Sequence, residues 1–162
     1  MKIAIGIVLL ALLVGCSDDT PESVSAAVLT DFGRYTFVEA GAEAEGNLRE
    51  FITEATPEGI ELVDATVRSV LVDGNPVPAE VVAAAYDRGD LSVEDLQLEV
   101  FKEVAPGSSR EILGGRGVLL AAEGTALVAA FPTEGVLIYL VGSEGGALQD
   151  VAGGILEHNG TN

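Results

Sequence analysis

Three apolar runs near the carboxyl end of the chain predict a β-meander. They occupy residues 118–122, 126–131 and 136–141, and short segments rich in Gly, Thr, Pro and Glu separate them. Loops of this length join antiparallel neighbours. The runs are apolar at nearly every position, so we expect both faces of this sheet to be covered.

Two helices are predicted to provide that cover. In residues 143–157 the apolar side chains recur at helical spacing, which is typical of a helix with one buried stripe. In residues 78–88, Pro78 suits a first helical turn and the alanines at 83–85 favour a helix. Gly89 then supplies a suitable stop.

The first part of the body has a strand-like pattern. Residues 24–29 and 34–38 are predicted to be strands, and residues 31–33 form a turn sequence between them. The small, acidic stretch at residues 41–46 indicates a loop.

A short helix and a further strand are predicted next. Asn47 is the expected N-cap of a helix over residues 48–55. Residues 66–72 are β-branched and end at a turn sequence, which favours a strand, whereas residues 60–65 fit a helix or a strand equally well.

Residues 93–104 fit two templates. Ser92 stands three residues before Asp95, which resembles a capping box, and a helical turn followed by a strand is the interpretation we adopt. A continuous helix fits the spacing as well. Together the patterns predict one α+β domain over residues 24–158, mainly an antiparallel sheet, followed by a polar tail at residues 159–162.

The amino end of the chain has a different pattern. Lys2 is followed by residues 3–14, which carry no charged or polar side chain. A positive residue before a short apolar run is typical of an export signal. A permanent span needs about 20 apolar residues, so this run is short for one.

The residues that end this run carry a family resemblance. Leu13-Val14-Gly15-Cys16 resembles the lipobox of bacterial lipoproteins, in which an aliphatic residue and two small or β-branched residues precede the cysteine. An ordinary thiol behind an uncleaved anchor and a buried core helix are the alternatives. The all-round apolar run that ends in glycine fits a core helix poorly.

The resemblance implies a definite fate for the chain. Type II signal peptidase would recognise Leu13, Val14 and Gly15 and remove residues 1–15 as a signal peptide. Cys16 would carry a thioether-linked diacylglycerol and an N-acyl group such as palmitate, and no other cofactor is expected. Two or three acyl chains suffice for stable anchoring.

The same resemblance bears on localisation. Residues 16–23 would form the lipidated cysteine and a short tether. Ser17 follows the cysteine, and the sorting rule of enteric-type cells then favours the outer membrane, on its periplasmic side. Outward-facing attachment to the inner membrane is the alternative, because the rule differs between lineages.

Charge limits the classes of partner. The chain has a net charge of −18, and removal of Lys2 with the signal peptide leaves −19, from 7 basic and 26 acidic residues. Such a charge argues against nucleic acid and against docking on anionic headgroups. A basic protein or loosely bound cations remain compatible, although a solvated acidic surface explains the charge as well.

The chain offers few residues for catalysis. His158 is its single histidine and is predicted to be an exposed residue of the polar end, so a Ser-His-Asp triad or a His-based zinc site is not expected. Lys102 stands between Glu99 and Glu103 and is predicted to form a surface ion pair. Cys16 is the single cysteine, which excludes a disulfide framework within the chain.

These observations predict an envelope lipoprotein that acts as a non-catalytic binding or accessory subunit, with another protein as partner. A small-ligand or cation-binding lipoprotein is the second hypothesis, and a deep pocket with convergent polar groups would favour it. A hydrolase built on two carboxylates is the third, and it would require a pair about 5–10 Å apart in a cleft. No catalytic residue and no metal ligand is assigned.

Overall fold

The computed structural model describes residues 23–104, 108–113, 116–120, 126–130, 136–143 and 145–160. These residues form four helices and seven strands. The helices are α1 (Val24–Ala27), α2 (Ala42–Glu54), α3 (Val93–Val104) and α4 (Gly145–Gly160). The strands are β1 (Tyr35–Glu39), β2 (Glu61–Val72), β3 (Asn75–Asp87), β4 (Ser109–Leu113), β5 (Arg116–Leu120), β6 (Ala126–Ala130) and β7 (Val136–Gly142).

The strands form one antiparallel sheet in the order β1-β2-β3-β7-β6-β5-β4. Two meanders, β1 to β3 and β4 to β7, meet at its centre, where β3 pairs with β7. Neighbouring strands run in opposite directions at every pairing.

The core is divided into two layers by the sheet. On one side α1 and α4 pack over the sheet, and Ile138 of β7 and Ile155 of α4 belong to that layer. On the other side α2 and α3 cover it, and Leu137 and Leu96 are among the buried residues. Successive residues of β7 therefore point into opposite layers, which explains why that run is apolar throughout.

Several predictions from the sequence are confirmed. The fold is a single α+β domain, the runs from 118 to 141 form the antiparallel meander β5-β6-β7, and both faces of the sheet are covered. The helix predicted over residues 143–157 is α4, which extends to Gly160. The strand predicted at residues 66–72 is the second half of β2, and the undecided residues 60–65 contribute its first half.

The helix predicted over residues 78–88 is wrong, because this segment belongs to β3. Asp73 and Gly74 both have positive φ, 52° and 76°, and turn the chain back into a hairpin. The small side chains that suggested a helix are buried between β2 and β7. Pro78 lies where the register with β2 shifts, and a bulge of this kind tolerates a proline.

Two predictions in the first part of the body are also wrong. The segment 24–29 begins with the short helix α1, for which the Ser23 side chain accepts a hydrogen bond from the backbone N–H of Ala26 at 3.1 Å. The predicted loop 41–46 is mostly the first turns of α2, which begins at Ala42 rather than behind Asn47. Alanine favours a helix, and glutamate in the first turn favours its N-terminus.

The segment 93–104 is the continuous helix α3 and contains no strand. Its predicted N-cap is confirmed, because the Ser92 hydroxyl accepts a hydrogen bond from the backbone N–H of Asp95 at 3.0 Å. Leu96 and Val100 are fully buried while Leu98 is 48% exposed. The alternating pattern that suggested a strand therefore does not correspond to the buried face.

Candidate functional site

The predicted lipidation site lies outside the described residues. This applies to Cys16, to the recognition residues Leu13, Val14 and Gly15, and to the sorting residue Ser17. The predictions for these residues therefore remain predictions. The first described residue is Ser23, and what the structure shows is how the domain begins.

The domain begins with a cluster of hydroxyl groups and one carboxylate. The Ser25 hydroxyl is fully buried and donates a hydrogen bond to Asp64 Oδ2 at 2.6 Å. It also lies 2.7 Å from the hydroxyl of Thr66, while Ser23 lies 3.3 Å from both hydroxyls. The backbone N–H of Ser25 donates to the same carboxylate oxygen at 3.2 Å. These contacts fix α1 to β2.

Two opposing effects act on the Asp64 carboxylate. Partial burial is the largest single influence and by itself raises the pKa of Asp64. The hydrogen bonds from the side chains of Ser25 and Ser23 and from the backbone of Ser25 and Ala65 together outweigh it and lower the pKa below its ordinary value. The carboxylate is therefore charged at neutral pH, when it accepts these bonds.

The two ends of the described chain lie side by side. The Asn159 side-chain amide near the end of α4 donates a hydrogen bond to the carbonyl oxygen of Val28 at 3.3 Å. Val28 follows α1 and is buried in the same core layer as α4. The point at which the chain enters the domain is thus on the α4 side of the sheet.

A cleft of about 690 Å³ opens on this same side, between α4 and the turn before β1. We call it the turn–α4 cleft. The residues that line it are Phe32, Gly33, Arg34, Tyr35, Gln149, Asp150, Gly153, Gly154, Glu157 and His158. Its volume lies within the usual range for small-molecule sites.

One end of the cleft is held by polar contacts. Arg34 forms a hydrogen-bonded ion pair with Asp150, and both side chains are about half exposed. The Tyr35 hydroxyl donates to the backbone carbonyl of Asp150 at 3.2 Å, and the Arg34 guanidinium lies 5.4 Å from the Tyr35 ring centroid. This end therefore presents both a cation and an anion to solvent.

The other end of the cleft is aromatic. The rings of Phe32 and His158 stack with their centroids 4.3 Å apart and an interplanar angle of 5°. The exposed position that we predicted for His158 in the polar end is wrong, because His158 is part of α4 and is partly buried. The surface ion pair predicted for Lys102 is confirmed, with Glu99 at 2.7 Å.

The opposite core layer holds a second buried polar contact. The hydroxyls of Tyr86 and Tyr139 lie 2.6 Å apart, and both residues are buried among α2, α3 and the sheet. Burial raises the pKa of Tyr86 and raises that of Tyr139 well above its ordinary value. Both phenols therefore stay protonated at neutral pH, and in the hydrogen bond between them one hydroxyl donates and the other accepts.

The described residues contain few candidates for a metal site or a buried acid. Among these residues no group of three or more His, Cys, Asp or Glu side chains is placed to hold a metal ion. The buried polar side chains within them are Ser25, Thr66 and Gln97, and none of these is a carboxylate. Nor is any described helix long and apolar enough to cross a bilayer.

Sequence reasoning did not find the turn–α4 cleft. The two segments that form it are far apart in the chain, since Arg34 and Asp150, which form an ion pair, are separated by 116 positions. The adjacent glycines 153 and 154 were the available signal, because consecutive glycines in a helix permit a close approach. Comparison of the chain with known protein families, curated proteins and solved structures finds no match.

Proposed function

We propose that the chain is an acyl-anchored envelope lipoprotein whose folded domain acts as a non-catalytic binding or accessory subunit. Cys16 carries the lipid, and the domain faces the periplasm from the outer membrane. Its partner is another protein of the envelope. The sequence Leu13-Val14-Gly15-Cys16 behind an apolar run supports the anchoring part of this proposal.

The observation that carries the proposal is the way α1 starts the domain. Ser23 stands seven positions after Cys16 and is already bound to Ser25 and Thr66. Because a chain extends at most about 3.6 Å per residue, the lipidated cysteine lies within roughly 25 Å of Ser23. Such a tether keeps the domain at the membrane, where an accessory subunit of an envelope assembly would act.

The experiment that tests the anchor is processing in cells supplied with labelled palmitate. The wild-type chain should incorporate label and shorten by the signal peptide, whereas Cys16→Ala should stay unlabelled and unprocessed. Ser17→Ala is the matched control, and it should be labelled and processed as the wild type is. Normal processing of Cys16→Ala would rule out the lipobox assignment.

The accessory role has a separate test. In-cell crosslinking of the lipidated protein, followed by identification of the crosslinked species, should capture one envelope protein in stoichiometric yield. The folded domain without its signal peptide and lipid should show no tight binding of a metabolite or of Ca²⁺. Absence of any captured protein together with tight binding of a small molecule would reject the accessory role.

A second candidate function, binding of a small polar ligand, is favoured by Gly153. This glycine lies inside α4 and lines the cleft, yet a Cβ atom placed on it would meet nothing within 4 Å. Glycine in a helix interior destabilises it by about 1 kcal/mol relative to alanine. No contact among the described residues requires a glycine at position 153. A ligand lying against the helix backbone would require one, because a side chain at this position would occupy its space.

The second candidate is tested by filling the cleft. Gly153→Leu places a side chain into it, and Gly46→Leu is the matched control because Gly46 also lies in a helix with open space around its Cβ position. Thermal shifts with a panel of amino acids and polyamines should be abolished by Gly153→Leu and kept by Gly46→Leu. If no compound in the panel raises the melting temperature of the wild type, the second candidate is rejected.

A further inference from the structure

We infer that the face formed by α1 and α4 lies against the lipid bilayer, so that the face formed by α2 and α3 is turned toward the periplasm. This inference rests on the proposed lipid anchor and adds to it the side of the domain that meets the membrane. Two observations carry it: the length of the tether and the distribution of charge between the two helix layers.

The tether restricts the rotation of the domain. It spans at most about 25 Å from Cys16 to Ser23. Helix and sheet layers pack about 10 Å apart, so the outer surface of the α2 and α3 layer lies roughly 25 to 30 Å from the α1 side. The tether would have to pass around the sheet at nearly its full extension for the α2 and α3 layer to meet the bilayer.

Charge is distributed unequally between the two helix layers. α2 and α3 together contain eight acidic residues, Arg49 and Lys102, which gives a net charge of −6. α1 and α4 contain only Asp150 and Glu157 as charged residues, a net charge of −2, and Asp150 is paired with Arg34. Anionic headgroups repel the first layer more strongly than the second.

This distribution changes the conclusion that composition alone suggested. The net charge of the whole chain argues against contact with anionic headgroups. The structure places a net charge of −6 on the two helices that lie away from the entry of the tether and only −2 on the two helices beside it. An acidic domain can therefore rest on a bilayer through this one face.

The entry point itself has an apolar residue at the surface. Val24 is 56% exposed and follows Ser23, the N-cap of α1. It lies at the end of the tether, whereas the exposed apolar side chains of the other helix layer include Phe51 at 40% and Leu98 at 48%. Burial of such a side chain at the headgroup boundary is favourable, by roughly 25 cal/mol for each Å² of apolar surface.

The chain allows a direct test, because Cys16 is its only cysteine and would be blocked by lipid. Gln149→Cys and Asn47→Cys each add one thiol at an exposed amide side chain, the first on α4 and the second on α2. Each lipidated variant is labelled with a fluorophore and reconstituted into vesicles of phosphatidylethanolamine and phosphatidylglycerol that carry a nitroxide on the headgroup.

We expect several-fold stronger quenching at position 149 than at position 47. Equal quenching, or stronger quenching at position 47, would overturn the inferred orientation. Flotation of the vesicles is measured on the same samples and reports the anchor separately. A chain that does not float with vesicles refutes the lipid anchor, whereas a chain that floats without the difference in quenching refutes only the orientation.

A second pair of variants controls for the possibility that the fluorophore perturbs the structure at one of the labelled positions. Ala27→Cys at the end of α1 and Ala42→Cys at the start of α2 are both exposed alanines. The first should be quenched several-fold more strongly than the second. The orientation is accepted only if both pairs give the same order, and it is rejected if either pair of folded variants gives the reverse.

Discussion

The two faces of the sheet bury similar apolar side chains but differ in how their helices are held and charged. On the α1 and α4 face, hydrogen bonds join residues far apart in the chain, such as Asn159 with Val28 and Tyr35 with Asp150. On the α2 and α3 face, the hydroxyls of Tyr86 and Tyr139 meet within the sheet, and the Gln97 side chain of α3 donates to the carbonyl oxygen of Gly117 at 3.4 Å. The helices of this face carry most of the helical acidic residues.

The buried parts of the two layers are alike and concern stability, whereas their outer surfaces differ and concern function. Apolar side chains are buried in both layers, so both faces of the sheet contribute to the stability of the fold. The distinction lies on the outer surfaces, where one face holds the start of the described chain and the turn–α4 cleft, and the other presents the acidic helices. An informative substitution therefore changes a residue on one face, and a residue of the other face or an exposed neighbour is its control.

The largest effect is expected from truncating adjacent core residues of β7. Ile138 and Leu137 are both fully buried but point into opposite layers. We expect Ile138→Ala and Leu137→Ala each to lower the free energy of unfolding by about 2 to 5 kcal/mol, measured by urea denaturation. A loss below about 1 kcal/mol for either variant would show that its layer is not a closed core.

The next effect concerns the attachment of α1. Ser25→Ala removes the O–H group that donates to Asp64 and the oxygen that accepts from Thr66, so we expect the free energy of unfolding to fall by about 2 to 3 kcal/mol at pH 7. Val24→Ala, at an exposed neighbour, is the control and should change the free energy of unfolding by less than about 0.5 kcal/mol.

The same variant makes a prediction about pH. The pKa of Asp64 is below its ordinary value in the folded state. The stability that its carboxylate contributes is therefore present above the unfolded-state pKa, about 4, and is lost as the pH falls through the folded-state value. The difference between wild type and Ser25→Ala should shrink below about pH 4, and a difference that stays constant down to pH 2 would contradict this role.

Adjacent glycines of α4 give opposite predictions. A Cβ atom at position 154 would lie 2.6 Å from Cε2 of Tyr35, whose hydroxyl is bonded to the helix. Gly154→Ala should therefore cost about 1 to 3 kcal/mol. Gly153→Ala has open space and should stabilise the domain by up to about 1 kcal/mol. Equal effects in thermal unfolding would mean that Tyr35 does not pack on α4 as described.

The smallest effect is expected within the tyrosine pair of the α2 and α3 layer. Tyr86→Phe leaves the Tyr139 hydroxyl without this partner and should cost about 1 kcal/mol or slightly more. Tyr139→Phe should do the same, but the double variant should cost less than the sum of the two. Additive losses in the double-mutant cycle would show that the two hydroxyls do not interact.

Patterns of apolar residues predicted the parts of the fold in which neighbours in sequence are neighbours in space. The meander from 118 to 141 and helix α4 belong to this class. The helix predicted over residues 78–88 rested on its alanines, which favour a helix locally. Its valines favour a strand, and the burial of the segment between β2 and β7 depends on strands from both halves of the chain.

Less of the candidate site than of the fold can be predicted from the sequence. The stacking of Phe32 on His158 and the pairing of Arg34 with Asp150 join a turn before β1 to the last helix. A single sequence contains no signal for such contacts. The resemblance of residues 13–16 to a lipobox can be seen in the sequence because the four residues are consecutive and the proposed chemistry depends on their order rather than on the fold.

The most direct test of the account is the intact mass of the chain purified from envelope membranes. The account predicts a protein that begins at Cys16 and is heavier than residues 16–162 by one diacylglyceryl group and one acyl group. A mass equal to that of all 162 unmodified residues would contradict it, because the tether, the membrane-facing side and the accessory role all depend on the lipid at Cys16.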